Sequence, residues 1–248
     1  MGFVNTGAVA TVLGGMIQGE LRGDGMFVRE GAVATVLGGM IQGGLRGDGM
    51  HVGSVATVCD GTIQGATGWY GQFNHGGFVY DEATVRIAGG IIIGGNSTNT
   101  ASASGSPGGN AFRNRGNLTI TGGTFKGGFN SASGDQAPSL DLKCGNTSIY
   151  GGTYEGNWSN ILVKSCDEFY ITVYGKDLVF KDNHLVGTLC DGNTINVYIS
   201  GDGFGYGSNP ETGTVYTENN CTSFPKFDEC GGKGGKSGKK TKGTLFRP

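Results

Sequence analysis

Residues 7–26, GAVATVLGGMIQGELRGDGM, return as residues 31–50, GAVATVLGGMIQGGLRGDGM, and differ only at Glu20 against Gly44. The shift is 24 residues. Inside this unit lies a nine-residue pattern, Thr-Val-x-Gly-Gly-x-Ile-x-Gly, at residues 11–19 and 35–43 and again, slightly altered, at 57–65. Looser copies stand at 86–92, 119–125 and 148–154, and Ile171-Thr172-Val173 and Ile195-Asn196-Val197 keep the strand without the glycine pair. The central apolar column then reads 12, 36, 58, 87, 120, 149, 173 and 197. Its steps of 24, 22, 29, 33, 29, 24 and 24 define a minimal repeat of 22 to 24 residues, lengthened where loops are inserted. A fixed period of this size marks a solenoid, in which each repeat buries its apolar face against its neighbours.

The alternation within each copy sets the geometry. Side chains alternate between the two faces of a strand, so Val12 and its equivalents point inward while Thr11 and Leu13 point out. The glycine pair then turns a corner that requires positive φ, and the next short strand returns Ile17, Ile41, Ile63, Ile92, Phe125 and Tyr154 to the interior. A third apolar strand closes each coil at 26–28, 78–80, 140–142 and 161–163. The expectation is an all-β right-handed parallel β-helix of three sheets and about eight rungs over residues 1–207. Loops are expected at 66–82, 95–116 and 129–138, with a C-terminal extension over 208–248 that is disordered from about 231. A β-sandwich gives no reason for like residues to recur at rung spacing. Phe3-Val4-Asn5-Thr6-Gly7 aligns with Phe27-Val28-Arg29-Glu30-Gly31, so the chain begins in mid-rung. That predicts an open β-edge there, belonging to a longer parent or to end-to-end self-association.

Composition removes several function classes. Fifty-two glycines against five prolines, with no Gly-X-Y run, exclude collagen. A net charge of −2 with 15% charged residues offers no field for nucleic acid. No apolar run is long enough for a transmembrane helix, and the first residues lack the basic-then-apolar pattern of a signal peptide.

The Gly-Gly-Thr-Phe/Tyr rungs at 122–125 and 151–154 resemble repeats of secreted parallel β-helix proteins of algae and bacteria. The segment Asp177-Leu178-Val179-Phe180, followed by His184-Leu185-Val186-Gly187-Thr188-Leu189-Cys190-Asp191-Gly192, is similar to the GTLxDG strand pair that ends many such proteins. The resemblance covers residues 7–207 and implies a pectin lyase-like architecture in a secreted or cell-surface setting. Polysaccharide lyases and glycoside hydrolases use that architecture, but the calcium carboxylates and Arg/Lys base of the lyases find no matching motif in this chain.

Six cysteines, at 59, 144, 166, 190, 221 and 230, permit disulfides. Cys166 and Cys190 each precede an inward valine of the column by seven residues, which stacks them on adjacent rungs either as a disulfide or as a free-thiol ladder. Cys221 and Cys230 close a small loop on this reading. Sequons at Asn96, Asn117, Asn146, Asn157 and Asn220 are candidate N-glycosylation sites.

The candidate chemistry is sparse. Asp24 and Asp48 recur at rung spacing within Arg-Gly-Asp, giving stacked carboxylates that bound Ca²⁺ or nearby arginines would relieve, or else polar turns copied by duplication. The tripeptide also matches integrin ligands, which need a protruding loop. Trp69, Tyr70, Phe73, His75, Phe78 and Tyr80 crowd one insertion, and Trp158 lies after the equivalent strand three rungs later. Trp69, Tyr70, Tyr80 and Trp158 are the glycan-stacking candidates, against plain loop packing. Asp81-Glu82 and Asp167-Glu168 are carboxylate pairs for glycoside cleavage or simply solvated charge. His51, His75 and His184 lie far apart with no metal-ligand spacing. Outward Thr11, Thr35, Thr57, Thr119 and Thr172 form a ladder like those of ice-binding faces, interrupted by Arg86. The lysines of 231–242 resemble the lysine-spaced segments of silaffins, which suggests mineral or polyanion binding. The expected function is a secreted or surface structural or adhesive solenoid presenting loops to glycan, matrix or other surfaces. The alternatives are a polysaccharide-cleaving enzyme or a mineral-, polyanion- or ice-binding protein. No catalytic residue is assigned.

Overall fold

A computed structural model describes residues 2–21, 23–68, 74–98, 108–131, 134–156, 161–164, 169–181, 184–200, 205–206, 214–218, 221–222 and 225–231. The chain winds as a parallel β-helix of three sheets, here called A, B and C. Sheet A stacks Gly2–Val4, Met26–Val28, Met50–Val52, Gly77–Val79, Phe112–Asn114, Leu140–Leu142, Ile161–Lys164 and Thr194–Ser200 in parallel. Sheet B stacks Val9–Val12, Val33–Val36, Val55–Val58, Thr84–Ile87, Asn117–Ile120, Gly145–Ile149 and the first half of Phe169–Lys181. Sheet C runs from Met16–Gln18 through Met40–Gln42, Thr62–Gln64, Ile91–Ile93 and Thr124–Lys126 to Thr153–Glu155.

The inferred column holds for seven rungs: Val12, Val36, Val58, Ile87, Ile120, Ile149 and Val173 lie directly over one another. From Val36 onward all are fully buried. Each such side chain contributes roughly 1.5–3 kcal/mol of burial, so the stack itself supplies the driving force. The second glycine of each corner, from Gly15 and Gly39 to Gly152, has positive φ, which is why a glycine pair turns the chain there. All three insertions leave by the corner after sheet C. There Gly68, Ser97 and Asn130 stack as parallel bridges, so the loop bases continue the helical register.

The expectations fail at the C-terminal end. Val197 does not continue the sheet B column but pairs with Ile161 in sheet A. After Val173 the strand runs on to Lys181, turns, and forms an antiparallel meander through His184–Leu189 and Thr194–Ser200. The next sheet B strand is Thr214–Glu218, paired in parallel with Tyr170–Tyr174, so the boundary drawn at 207 falls inside the solenoid. The expected Cys166–Cys190 ladder required Val173 and Val197 to share a column. Cys190 instead sits at the turn of the meander, where its N–H donates to the Tyr150 carbonyl, and it is bonded to Cys221. Cys230 bonds not to Cys221 but to Cys59, 171 residues away. Cys144 is also disulfide-bonded, and Cys166 lies outside the described residues.

These two bonds lay residues 225–231 back across the outer face of sheet B. Glu229 reaches Arg86 at 3.6 Å and Phe227 is buried. Thr35 and Thr57, expected to face water, are 9% and 1% exposed. Two members of the threonine ladder are therefore buried, and Arg86 interrupts it. The lysine-rich segment beyond 231 lies outside the described residues.

Candidate functional site

The corner between sheets A and B carries the site because its length varies from rung to rung. Four residues join the strands in the first, second and fourth rungs: Asn5-Thr6-Gly7-Ala8, Arg29-Glu30-Gly31-Ala32 and Tyr80-Asp81-Glu82-Ala83. Each is closed by the N–H of the last residue donating to the carbonyl of the first. In the third rung only Gly53-Ser54 join Val52 to Val55. The 22-residue step of the repeat is this two-residue deletion. The flanking corners overhang the short one and leave a notch of about 650 Å³, floored by Gly53 and Ser54 and walled by Thr6, Phe27, Arg29, Glu30, Tyr80, Asp81 and Glu82.

Tyr80 leans into the gap. Its ring lies flat on His51, with centroids 4.7 Å apart and planes at 5°, and meets Phe78 edge-on. It remains 40% exposed and presents an aromatic face beside carboxylates. Arg29 sits over the ring of Phe3, and Asp81 is held by Arg115 at 3.2 Å. Glu82 occupies the position of Gly7 and Gly31, and like them it is left-handed, with φ 68° against 75° and 73°. A non-glycine residue there is strained, and such strain concentrates at functional sites.

Behind Tyr80 runs a polar chain. Asp24, Asp48 and His75 occupy one corner column before sheet A, while His51 stands in the middle of its strand between Phe27 and Phe78. The N–H of Asp48 donates to Asp24 Oδ1 at 2.9 Å, and that of His75 donates to Asp48 Oδ1 at 2.6 Å. His51 Nδ1 lies 3.1 Å from Asp24 Oδ2 and 4.0 Å from Asp48 Oδ2. Burial pushes the Asp48 carboxyl up to about 7, against the opposing pull of His51 and of the His75 N–H. Burial likewise pulls His75 down to about 3, helped by the Arg113 guanidinium. His75 Nδ1 accepts from the Asn110 N–H, which fits a neutral ring. Asp141 continues the chain, 3.4 Å from Arg113.

The structure thus brings Asp24 and Asp48 together as the repeat spacing implied, and adds His51, which sequence distance had set aside. It buries Asp48 too deeply for its Arg-Gly-Asp to act as a protruding ligand. Tyr80 forms a wall of the notch, whereas Trp69, Tyr70, Trp158 and the pair Asp167-Glu168 lie outside the described residues. Arg86 turns away from Asp81-Glu82 to Glu229. Of the sequons, Asn96 and Asn146 are exposed and Asn117 half-buried, and Asn157 and Asn220 lie outside the described residues. Phe27, Glu30 and His51 were missed. The signals that point to them are the 22-residue step and the places where one rung departs from its neighbours: His for Phe at 51 and Glu for Gly at 82. No protein-family model, curated protein or solved structure matches the chain.

Proposed function

We propose that the chain is an extracellular β-solenoid whose A–B corner notch binds a glycan. The observation that carries this reading is Glu82: a carboxylate kept at a left-handed position where the repeat places glycine, on the rim of a notch whose other wall is the exposed Tyr80 ring. An aromatic face beside hydrogen-bonding carboxylates suits a sugar ring, which offers an apolar C–H face and hydroxyl donors. Glu30, Asp81 and Glu82 outnumber Arg29 in the walls, so neutral and amino sugars are favoured over uronates. The extracellular setting is supported by the disulfides, which persist in oxidising compartments. No helix among the described residues is long and apolar enough to cross a membrane.

The test is calorimetric titration with neutral, amino-sugar and uronate oligosaccharides. Two variants accompany the wild type: Tyr80→Ala, and a chain in which Gly53-Ser54 is replaced by the Arg-Glu-Gly-Ala corner of the preceding rung. The second fills the notch with the repeat's own sequence, so it folds. Binding by the wild type that both variants lose supports the reading. Binding retained by the filled notch, or none by the wild type, overturns it. New reducing or unsaturated ends in the titrated sugars identify an enzyme instead.

A further inference from the structure

We propose that Asp24, Asp48 and His51 form a binding site for a borderline divalent cation of the Zn²⁺ class. Each residue turns one ligand atom toward a common point, and the three atoms lie within 4.8 Å of one another. The carboxylates are pre-set for this. One oxygen of each is already occupied by a backbone N–H, that of Asp48 on Asp24 Oδ1 and that of His75 on Asp48 Oδ1. These bonds aim the remaining oxygens, Asp24 Oδ2 and Asp48 Oδ2, at His51 Nδ1. Such outer hydrogen bonds are how proteins orient metal ligands.

Two further observations point to a cation. The Asp48 side chain is 8% exposed, and its Oδ2 lies 4.0 Å from His51 Nδ1. A carboxylate buried this far is costly unless a proton or a cation neutralises it. His51 itself departs from the ladder. Phe3, Phe27 and Phe78 fill the equivalent position in the first, second and fourth rungs, whereas the rung beside the two aspartates places an imidazole there. Its other nitrogen, Nε2, is buried without a hydrogen-bond partner among the described residues, and Phe27 and Phe78 meet the ring edge-on. An N–H is better tolerated than a bare lone pair in aromatic surroundings, and a proton on Nε2 leaves Nδ1 free to ligate.

The third ligand decides the class of ion. Two carboxylates alone suit Ca²⁺, which takes six to eight oxygens at about 2.3–2.6 Å. An imidazole with two carboxylates suits Zn²⁺ and its neighbours. Bonds of about 2.0–2.1 Å in tetrahedral geometry set ligands roughly 3.3 Å apart and leave a fourth position open. The present spacings of 3.1 and 4.0 Å about Nδ1 reach that arrangement by small side-chain rotations.

The test uses the full chain stripped with a chelator and titrated with Zn²⁺ or Ca²⁺ alone, read by calorimetry and by the thermal midpoint. The expected result is one Zn²⁺ per chain and a midpoint raised by about 5 °C at a hundredfold excess over Kd, with no rise from Ca²⁺. Each variant is compared with its own metal-free midpoint: His51→Phe restores the aromatic of the neighbouring rungs but removes the nitrogen 3.1 Å from Asp24 Oδ2, and weakens Zn²⁺ binding at least tenfold, as does Asp24→Asn. Equal Zn²⁺ binding by the wild type and both variants overturns the proposal, as does a preference for Ca²⁺. The site does not depend on the glycan reading, since no sugar enters the measurement.

Discussion

Glu82 stands where Gly31 stands two rungs earlier, in the same left-handed conformation, φ 68° against 73°. A side chain there clashes with its own backbone at a cost of roughly 1–2 kcal/mol, while glycine gives back about half of that through the greater freedom of the unfolded chain. Glu82→Gly is therefore expected to stabilise the fold by about 0.5–1 kcal/mol in urea titration while weakening ligand binding in the notch. A destabilised variant would mean that the carboxylate holds the corner together, and the functional reading of its strain would fall.

The Cys59–Cys230 bond fastens the C-terminal segment to the end of a sheet B strand, where Glu229 also meets Arg86. Replacing both cysteines by serine is expected to remove about 2–4 kcal/mol, since the bond spans a long stretch of chain. The loss should also be local. Hydrogen exchange should rise in the segment 225–231, while the amides of Val36 and Val58 keep rung-to-rung protection. Uniform loss of protection across all rungs would show that the segment is integral to the core rather than a strap over it.

The column from Val12 to Val173 was legible because alternation and the glycine corner are local properties that any stacked rung must repeat. The last step was not. From Val173 to Val197 the chain advances the same 24 residues, but by an antiparallel return that buries alternate side chains just as a parallel rung does. Spacing cannot distinguish the two. The Asp24–Asp48 contact followed from duplication, whereas His51 joins them only because sheet A's register lays it beside the corner. The sequence distances of 27 and 3 residues carry no metal-ligand signature. The notch was written in the 22-residue step, but a deletion reads as a missing feature until the overhang of its neighbours is seen.

Asp48 and His75 are neighbours in one column with opposite titrations, and their effects on stability oppose each other. The Asp48 carboxyl is raised to about 7, so its contribution is complete below the unfolded value of 3.8 and is lost as pH rises through 7. His75 is lowered to about 3, so its contribution is complete above 6.5 and is lost as pH falls through 3. Between about pH 4 and 6.5 the folded chain holds one extra proton on Asp48 and lacks one on His75, and the two slopes cancel. With a chelator present, His75→Asn should expose a stability that falls from pH 4 to 7, and Asp48→Asn one that rises from pH 3 to 6.5. Urea midpoints across that range are the measurement. Profiles in both variants that match the wild type would remove these two groups from the account.

Asn117 and Asn146 sit opposite each other on adjacent rungs of sheet B, and Asn146 Nδ2 donates to Asn117 Oδ1 at 3.0 Å. Rungs about 4.8 Å apart leave no room for two glycan stems side by side. Asn146 is exposed and Asn117 half-buried, so the outer amide is the one offered for modification. In chain secreted from a glycosylating host, Asn146→Gln is expected to lower the glycan count by one in the intact mass, while Asn117→Gln leaves it unchanged. If each substitution removed one glycan, both amides would be carrying sugar together, and the close packing of this pair on neighbouring coils would be wrong.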